Sequence, residues 1–210
     1  MHGWYRLGYK LSWLCARLFF SFRIYGREKI PSTGSCILAM NHESYLDPPL
    51  AGICCRRPIF FLARKTLLEW PILGPIFPKI NVVPIDQERA DMSALKTLIK
   101  LVKSGECSIV FPEGARTLNG ELQPAQAGLG LVIAKTLAPV VPMRIFGAHK
   151  VLPRGGKGFH PGPIRIVVGD PMIFTKADLE GGGRDLYQRL SDCVMERIAS
   201  LELPGAHPGG

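Results

Sequence analysis

Residues 36–40 (CILAM) form an unbroken apolar run behind the turn residues Pro31-Ser32-Thr33-Gly34. Similar short runs recur at 58–62 (PIFFL), 80–85 (INVVPI), 108–111 (SIVF), 139–145 and 164–168 (IRIVV). Short apolar runs bounded by turn residues predict strands, and runs without polar alternation predict strands covered on both faces. Between them the apolar positions recur at helical spacing. Residues 45–55 read as a helix opened by Asp47-Pro48, since proline fits a first turn. A second helix is capped by Asp91, carries Leu95, Leu98, Ile99 and Val102 on one face and stops at Gly105. Residues 127–137 form a third, and 184–201 a last one with Leu186, Leu190, Val194, Ile198 and Leu201 in register. Residues 66–77 mix helix signals with Pro71, Gly74 and Pro75, which predicts a broken helix or loop. This alternation predicts a single α/β domain with a mostly parallel central sheet flanked by helices, and ligands at the carboxyl ends of its strands.

The stretch 4–25 has a different pattern. Trp4, Leu7, Leu11, Leu14 and Leu18 fall at helical spacing, interleaved with Arg6, Lys10, Arg17 and Arg23 and with no acid. A membrane-crossing helix needs roughly 20 largely uncharged residues, and Arg17 and Arg23 interrupt this run. A signal peptide places its charge ahead of the apolar block rather than inside it. The pattern predicts an amphipathic helix in a membrane interface; the plainer alternative is a helix packed on the domain with solvated arginines. The expected division is 1–25 as a membrane-association segment, 26–203 as the domain and 204–210 as a disordered tail.

Composition adds two constraints. The 210 residues carry a net charge of +9, which suits anionic lipid, nucleic acid or a phosphorylated substrate. Nucleic acid is disfavoured, because the basic residues cluster with aromatics and leucines at the N-terminus and no recognised binding motif is present. The six cysteines have no CxxC spacing, which predicts free thiols in a reducing, cytosol-facing setting and neither disulfides nor a metal site.

The chemistry gathers where strands end. The run 36–40 leads into Asn41-His42, with Asp47 five positions after the histidine; the run 108–111 leads into Pro112-Glu113-Gly114-Ala115-Arg116. In a parallel sheet both turns open on one edge. His42 can take a proton from an attacking hydroxyl if Asp47 holds its other ring nitrogen. Arg116 can grip a phosphate through charge-assisted hydrogen bonds, and the Gly114 N–H is placed to steady an oxyanion. The alternatives are a helix-capping Asp47, a loop histidine and an arginine paired with Glu113.

The segments NHESYLDP (41–48), FPEGARTL (111–118) and VPMRIFG (141–147) resemble, in order and separation, motifs of the glycerolipid acyltransferase family of the lysophosphatidic acid type, over about residues 25–175. The resemblance implies transfer of an acyl group from acyl-CoA or acyl-carrier protein to a lysophospholipid hydroxyl at the cytoplasmic face of a membrane. His42 and Asp47 would be catalytic, and Glu113, Gly114, Arg116 and Thr117 would bind substrate. No bound cofactor or metal is implied.

The second motif departs from the family pattern: Val83-Pro84-Ile85-Asp86 is followed by Gln87 rather than arginine, and Ala125-Gln126-Ala127-Gly128 replaces Phe-Lys-x-Gly. Arg64, Lys65, Lys79 and Arg89 are the cations near enough in sequence to compensate, Arg64 and Lys79 foremost. The departures leave another lysolipid or an amino-lipid as alternative acceptors, and a non-catalytic lipid-binding scaffold as the alternative outside enzymology. The apolar stretch 67–77 is an acyl-chain wall, a membrane-facing loop or ordinary core. The basic loop 149–160 either holds a phosphate of CoA or is merely exposed.

Overall fold

In the computed structural model, which describes residues 3–71, 74–85, 92–155 and 158–205, the chain begins with α1 (Gly3–Phe20), β1 (Arg23–Tyr25), β2 (Cys36–Met40) and α2 (Asp47–Cys54). It continues through β3 (Phe61–Arg64), β4 (Val82–Ile85), α3 (Met92–Lys103), β5 (Cys107–Val110) and α4 (Gly128–Thr136). β6 (Val140–Phe146), the short α5 (Ala148–Val151), β7 (Arg165–Val168) and α6 (Gly183–Ala199) complete it. Five strands form one sheet in the order β1-β7-β6-β2-β5. All neighbours in it are parallel except β6 and β7. β3 and β4 pair in parallel beyond β5; the Phe60 N–H donates to Cys107 O (2.8 Å) and Phe60 O accepts from Ile109 N (3.1 Å), so this pair prolongs the sheet edge.

The sheet has two apolar faces because side chains alternate along each strand. Cys36, Leu38 and Met40 of β2 join residues of α1 and α2 in one cluster, with Cys107 and Ile109 of β5 and Val141, Met143 and Ile145 of β6. Ile37 and Ala39 face the other way, against α3, α4 and α6. β2 is buried along its whole length, as an unbroken apolar run between two helical layers should be. On the second face α4 approaches α6 at Gly130, where a Cβ would fall 1.8 Å from Tyr187 O. Ser191 Oγ accepts the Gly130 N–H at 2.8 Å, satisfying a donor that the first turn of a helix leaves free.

The N-terminal segment differs from expectation in two ways. The helix stops at Phe20, and residues 23–25 pair with β7 rather than extending it. The helix is also not a detachable appendage. Tyr5, Ala16 and Phe20 are buried, and the Tyr5 hydroxyl accepts the Ile59 N–H at 3.1 Å. Trp4, Leu7, Leu11, Leu14 and Leu18 form the opposite, exposed stripe. The periodicity therefore had two apolar faces, one for the domain and one turned outward. No described helix is long and apolar enough to cross a membrane.

Residues 65–69 and 77–80 form 3-10 turns, and none of the described side chains of 67–77 enters either core cluster. For the described residues of that stretch, the reading as ordinary core is thus corrected. The Asp91 cap, Gln87, Arg89 and the tail beyond residue 205 lie outside the described residues. The six cysteines are free, with Cys36, Cys54, Cys55 and Cys107 buried.

Candidate active site

β2 and β5 run parallel and in register, Cys36 opposite Cys107 and Ala39 opposite Val110, so both exits open on one edge. His42 and Phe111 follow the same side-chain alternation onto the α1/α2 face. Their rings stack, with centroids 3.9 Å apart and planes 15° from parallel. Behind His42 the chain turns sharply into α2. Asp47, fully buried, closes that turn: its Oδ2 accepts the N–H groups of Glu43 (2.6 Å) and Ser44 (2.7 Å) and lies 2.7 Å from His42 Nδ1. Asp47 thus orders the turn and holds the imidazole through one oxygen, while Oδ1 has no hydrogen-bond partner. Burial pushes the Asp47 carboxyl above its ordinary range, opposed by His42 and by the two amides.

Glu113 is a positioning residue. Its Oε1 accepts the His42 N–H (3.0 Å) and its Oε2 the Gln123 N–H (3.3 Å), so it ties the two exits together from beneath. The Thr117 N–H donates to His42 O at 2.8 Å, a second tie between the same segments. The Glu113 carboxyl is pushed up to about 7, mainly by burial, against the pull of those two amides. Two sequence expectations are corrected here. The Gly114 N–H donates to Phe111 O (3.0 Å) within its own turn, with Gly114 at φ +73°, and so is not free for an oxyanion. Thr117 Oγ1 donates to Asn119 Oδ1 and accepts the Gly120 N–H, so it orders the loop.

Arg116 is not paired with Glu113. Its guanidinium carbon sits 3.5 Å from the centroid of the Tyr45 ring, an aromatic from the histidine's own segment. Its Nη1 is buried without a hydrogen-bond partner. A cation stacked on a ring with a desolvated, unused donor suits an anionic ligand.

Arg64 ends β3 on the same edge of the sheet, since Phe60 aligns in parallel with Ser108. Lys79 does not reach it. Lys79 precedes β4, which runs parallel to β3, so it lies at the amino end of the strands; its Nζ sits over the Trp4 ring of α1 at 4.7 Å.

On the other side of His42, the Asn41 side chain brackets Ile145 of β6, accepting its N–H (2.8 Å) and donating to its carbonyl (3.1 Å). Glu43 Oε2 accepts the His149 N–H (2.9 Å), and burial pushes this carboxyl up to about 7 as well. Phe111, Tyr45, Asn41 and Glu43 were missed as site residues. For Phe111 the signal was present, because it ends the strand that carries Glu113. Among the described residues no three His, Cys, Asp or Glu side chains gather as a metal site requires.

An acyltransferase family model matches residues 21–146, more than half of the chain. The chain belongs to the acyltransferase family. Curated relatives of this chain include the chloroplastic 1-acyl-sn-glycerol-3-phosphate acyltransferase BAT2 of Brassica napus, 32% identical over 77% of this chain and 48% of that protein. The 1-acyl-sn-glycerol-3-phosphate acyltransferase of Bacillus subtilis (strain 168) is 28% identical over 86% of this chain and 87% of its own. The chain spans about half the length of the plastid relatives it matches. Among solved structures, the 1-acyl-sn-glycerophosphate (LPA) acyltransferase PlsC of Thermotoga maritima superposes with a TM-score of 0.74 at 26% identity, covering 94% of this chain and 80% of the other. That similarity agrees with the α/β fold described above.

Proposed function

We propose that the protein transfers a fatty acyl group from a thioester, acyl-CoA or acyl-carrier protein, to the hydroxyl of 1-acyl-glycerol-3-phosphate, giving phosphatidic acid. The observation that carries this reading is the His42–Asp47 contact at the carboxyl edge of the sheet. With Nδ1 held by a carboxylate, Nε2 is the nitrogen available to take the alcohol proton as the oxygen attacks the thioester carbonyl. The imidazolium formed is stabilised by Asp47 and returns its proton to the departing thiolate. The hydroxyl comes from the substrate, so no enzyme nucleophile is required. The stacked, under-bonded Arg116 supports a phosphate-bearing acceptor, and Arg64 on the same edge supports it further. The names of the relatives point to the same reaction class.

The protein works at a membrane surface on the cytoplasmic side. The outward stripe of α1, flanked by the exposed bases Arg6, Lys10 and Arg17, supports interfacial binding, and the free buried thiols support a reducing compartment.

The test is acyl transfer from labelled acyl-CoA or acyl-carrier protein to a panel of lysolipids, run beside His42→Ala. Product from lysophosphatidic acid that disappears in the variant is expected. Product from a different lysolipid alone would rename the acceptor, and undiminished turnover by His42→Ala would remove the base.

A further inference from the structure

A cavity of about 1010 Å3 lies beside the catalytic histidine without including it. Asn41 and Glu43, on either side of His42, form one wall; Arg144, Lys150, His160 and Arg165 give the rest a basic lining. It runs over the carboxyl end of β6, lined by Arg144 and Arg165 and also by Val151 and Gly162, which pack on the α1 side. On β6, Val141, Met143 and Ile145 point to the α1 side, and on β7 Ile164, Ile166 and Val168 do. Arg144 and Arg165 therefore point to the other side.

The two arginines are diagonal neighbours in the antiparallel ladder, since Arg144 aligns with Val167 and Phe146 with Arg165. Side chains so placed are within about 8 Å of one another at their roots, and like charges there repel. Each guanidinium is anchored by Nη1 on backbone carbonyls. Arg144 donates to Ala199 O (2.6 Å) and Leu201 O (3.0 Å), Arg165 to Ser21 O (2.6 Å) and Ile164 O (3.0 Å). Both forks are thus held in place at one mouth, which is how a phosphate clamp is built.

Two acids, Glu43 and Glu121, share the wall with the three cations Arg144, Lys150 and Arg165, so the lining stays basic. Glu43 accepts from His149 N and Asn41 Nδ2, and Glu121 accepts from Asn119 Nδ2 at 2.7 Å. Lys150 and His160, both exposed, come from the basic loop 149–160, for which the sequence offered either a phosphate of CoA or mere exposure.

We propose that this cleft holds a phosphate of the acyl donor's carrier between Arg144 and Arg165, so that the phosphopantetheine-linked thioester reaches His42 from the β6 side, past Asn41 and Glu43. The inference rests on the acyl-transfer reading above. Coenzyme A and acyl-carrier protein share the phosphopantetheine phosphate, so the same cleft serves either. The lipid acceptor arrives from the β5 side of His42, where Arg116 stands on Tyr45.

Two measurements test it. In equilibrium binding to the full chain, which needs no turnover, CoA and 4′-phosphopantetheine should bind about tenfold more tightly than pantetheine. Lys150→Glu combined with His160→Glu should erase that difference at an unchanged melting temperature. A gain for 4′-phosphopantetheine assigns the shared phosphate. A gain for CoA alone assigns the nucleotide's phosphates and makes CoA the donor. No phosphate-dependent gain in the wild-type protein overturns the proposal, even if acyl transfer is observed. In steady-state kinetics the double variant should raise the donor KM about tenfold and leave kcat and the acceptor KM alone. A rise in the acceptor KM instead gives the cleft to the lipid phosphate and overturns it. Arg165→Gln should raise the donor KM in the same way, and an unchanged donor KM in a folded Arg165→Gln protein counts against it too. Absence of turnover with phosphate-dependent binding intact would reject the acyl-transfer reading alone.

Discussion

The His42 ring lies flat against the Phe111 ring, centroids 3.9 Å apart, while Asp47 Oδ2 fixes its edge at 2.7 Å. The imidazole is thus held in plane by an apolar surface and in rotation by a carboxylate. Phe111→Leu keeps an apolar contact but not a flat one. It should lower kcat about tenfold through misorientation, with small changes in KM and melting temperature. A variant with wild-type kcat would show that Asp47 alone suffices.

Arg116 depends on shape as well as charge. Arg116→Lys keeps the cation and loses both the planar fork and its stacking on Tyr45. The acceptor KM should rise about tenfold while the donor KM holds. Tyr45→Leu, which removes only the platform, should have a milder effect of about threefold. Equal donor and acceptor effects would place Arg116 elsewhere in the reaction.

Glu113 makes stability fall with rising pH. Its carboxyl titrates near 7 in the folded protein against an ordinary 4.5. Between those values the folded state holds a proton that the unfolded chain has released, so this contribution is complete below about 4.5 and is lost as pH rises through about 7. Glu43 acts in the same window. Melting temperatures compared at about pH 5 and about pH 8 should fall less in Glu113→Gln than in the wild type, and less again when Glu43→Gln is added. Parallel declines in all three proteins would show that other groups govern the dependence.

The outward face of α1 can be altered without touching the core. Leu11 and Leu18 are 53% and 67% exposed. Leu11→Glu with Leu18→Glu should weaken sedimentation with anionic vesicles at least about tenfold, since each buried leucine contributes about 1.5–3 kcal/mol. The melting temperature should stay unchanged. Deleting residues 1–25 would be a poor test, because it removes β1 and the Tyr5–Ile59 bond along with the stripe. Vesicle binding undiminished in the double variant would move the membrane contact to another surface.

Much of the fold could be read from runs and periods. β2 is an unbroken apolar segment, β5 is apolar but for Ser108, and α6 repeats its core residues at helical intervals. The meeting of His42 with Glu113 followed once both strands were taken as parallel. What escaped was set by direction in space. β1 is a three-residue strand with no pattern of its own and is specified by its partner β7. Lys79 seemed near the site only because sequence distance does not say which end of a strand a residue occupies. The Gly114 N–H was lost to a local turn, which no spacing discloses. The antiparallel reversal between β6 and β7 brings two distant arginines onto one surface, and nothing in the local sequence around either marks it.

A single oxygen of Asp47 serves the His42 ring and two backbone amides. On the mechanism proposed above, function and architecture meet at that atom. A descendant that abandons catalysis but remains folded has its easiest route through position 42, where the ring can be lost and the turn survive. In such lineages the aspartate would outlast the histidine, as a relic of chemistry retained for shape.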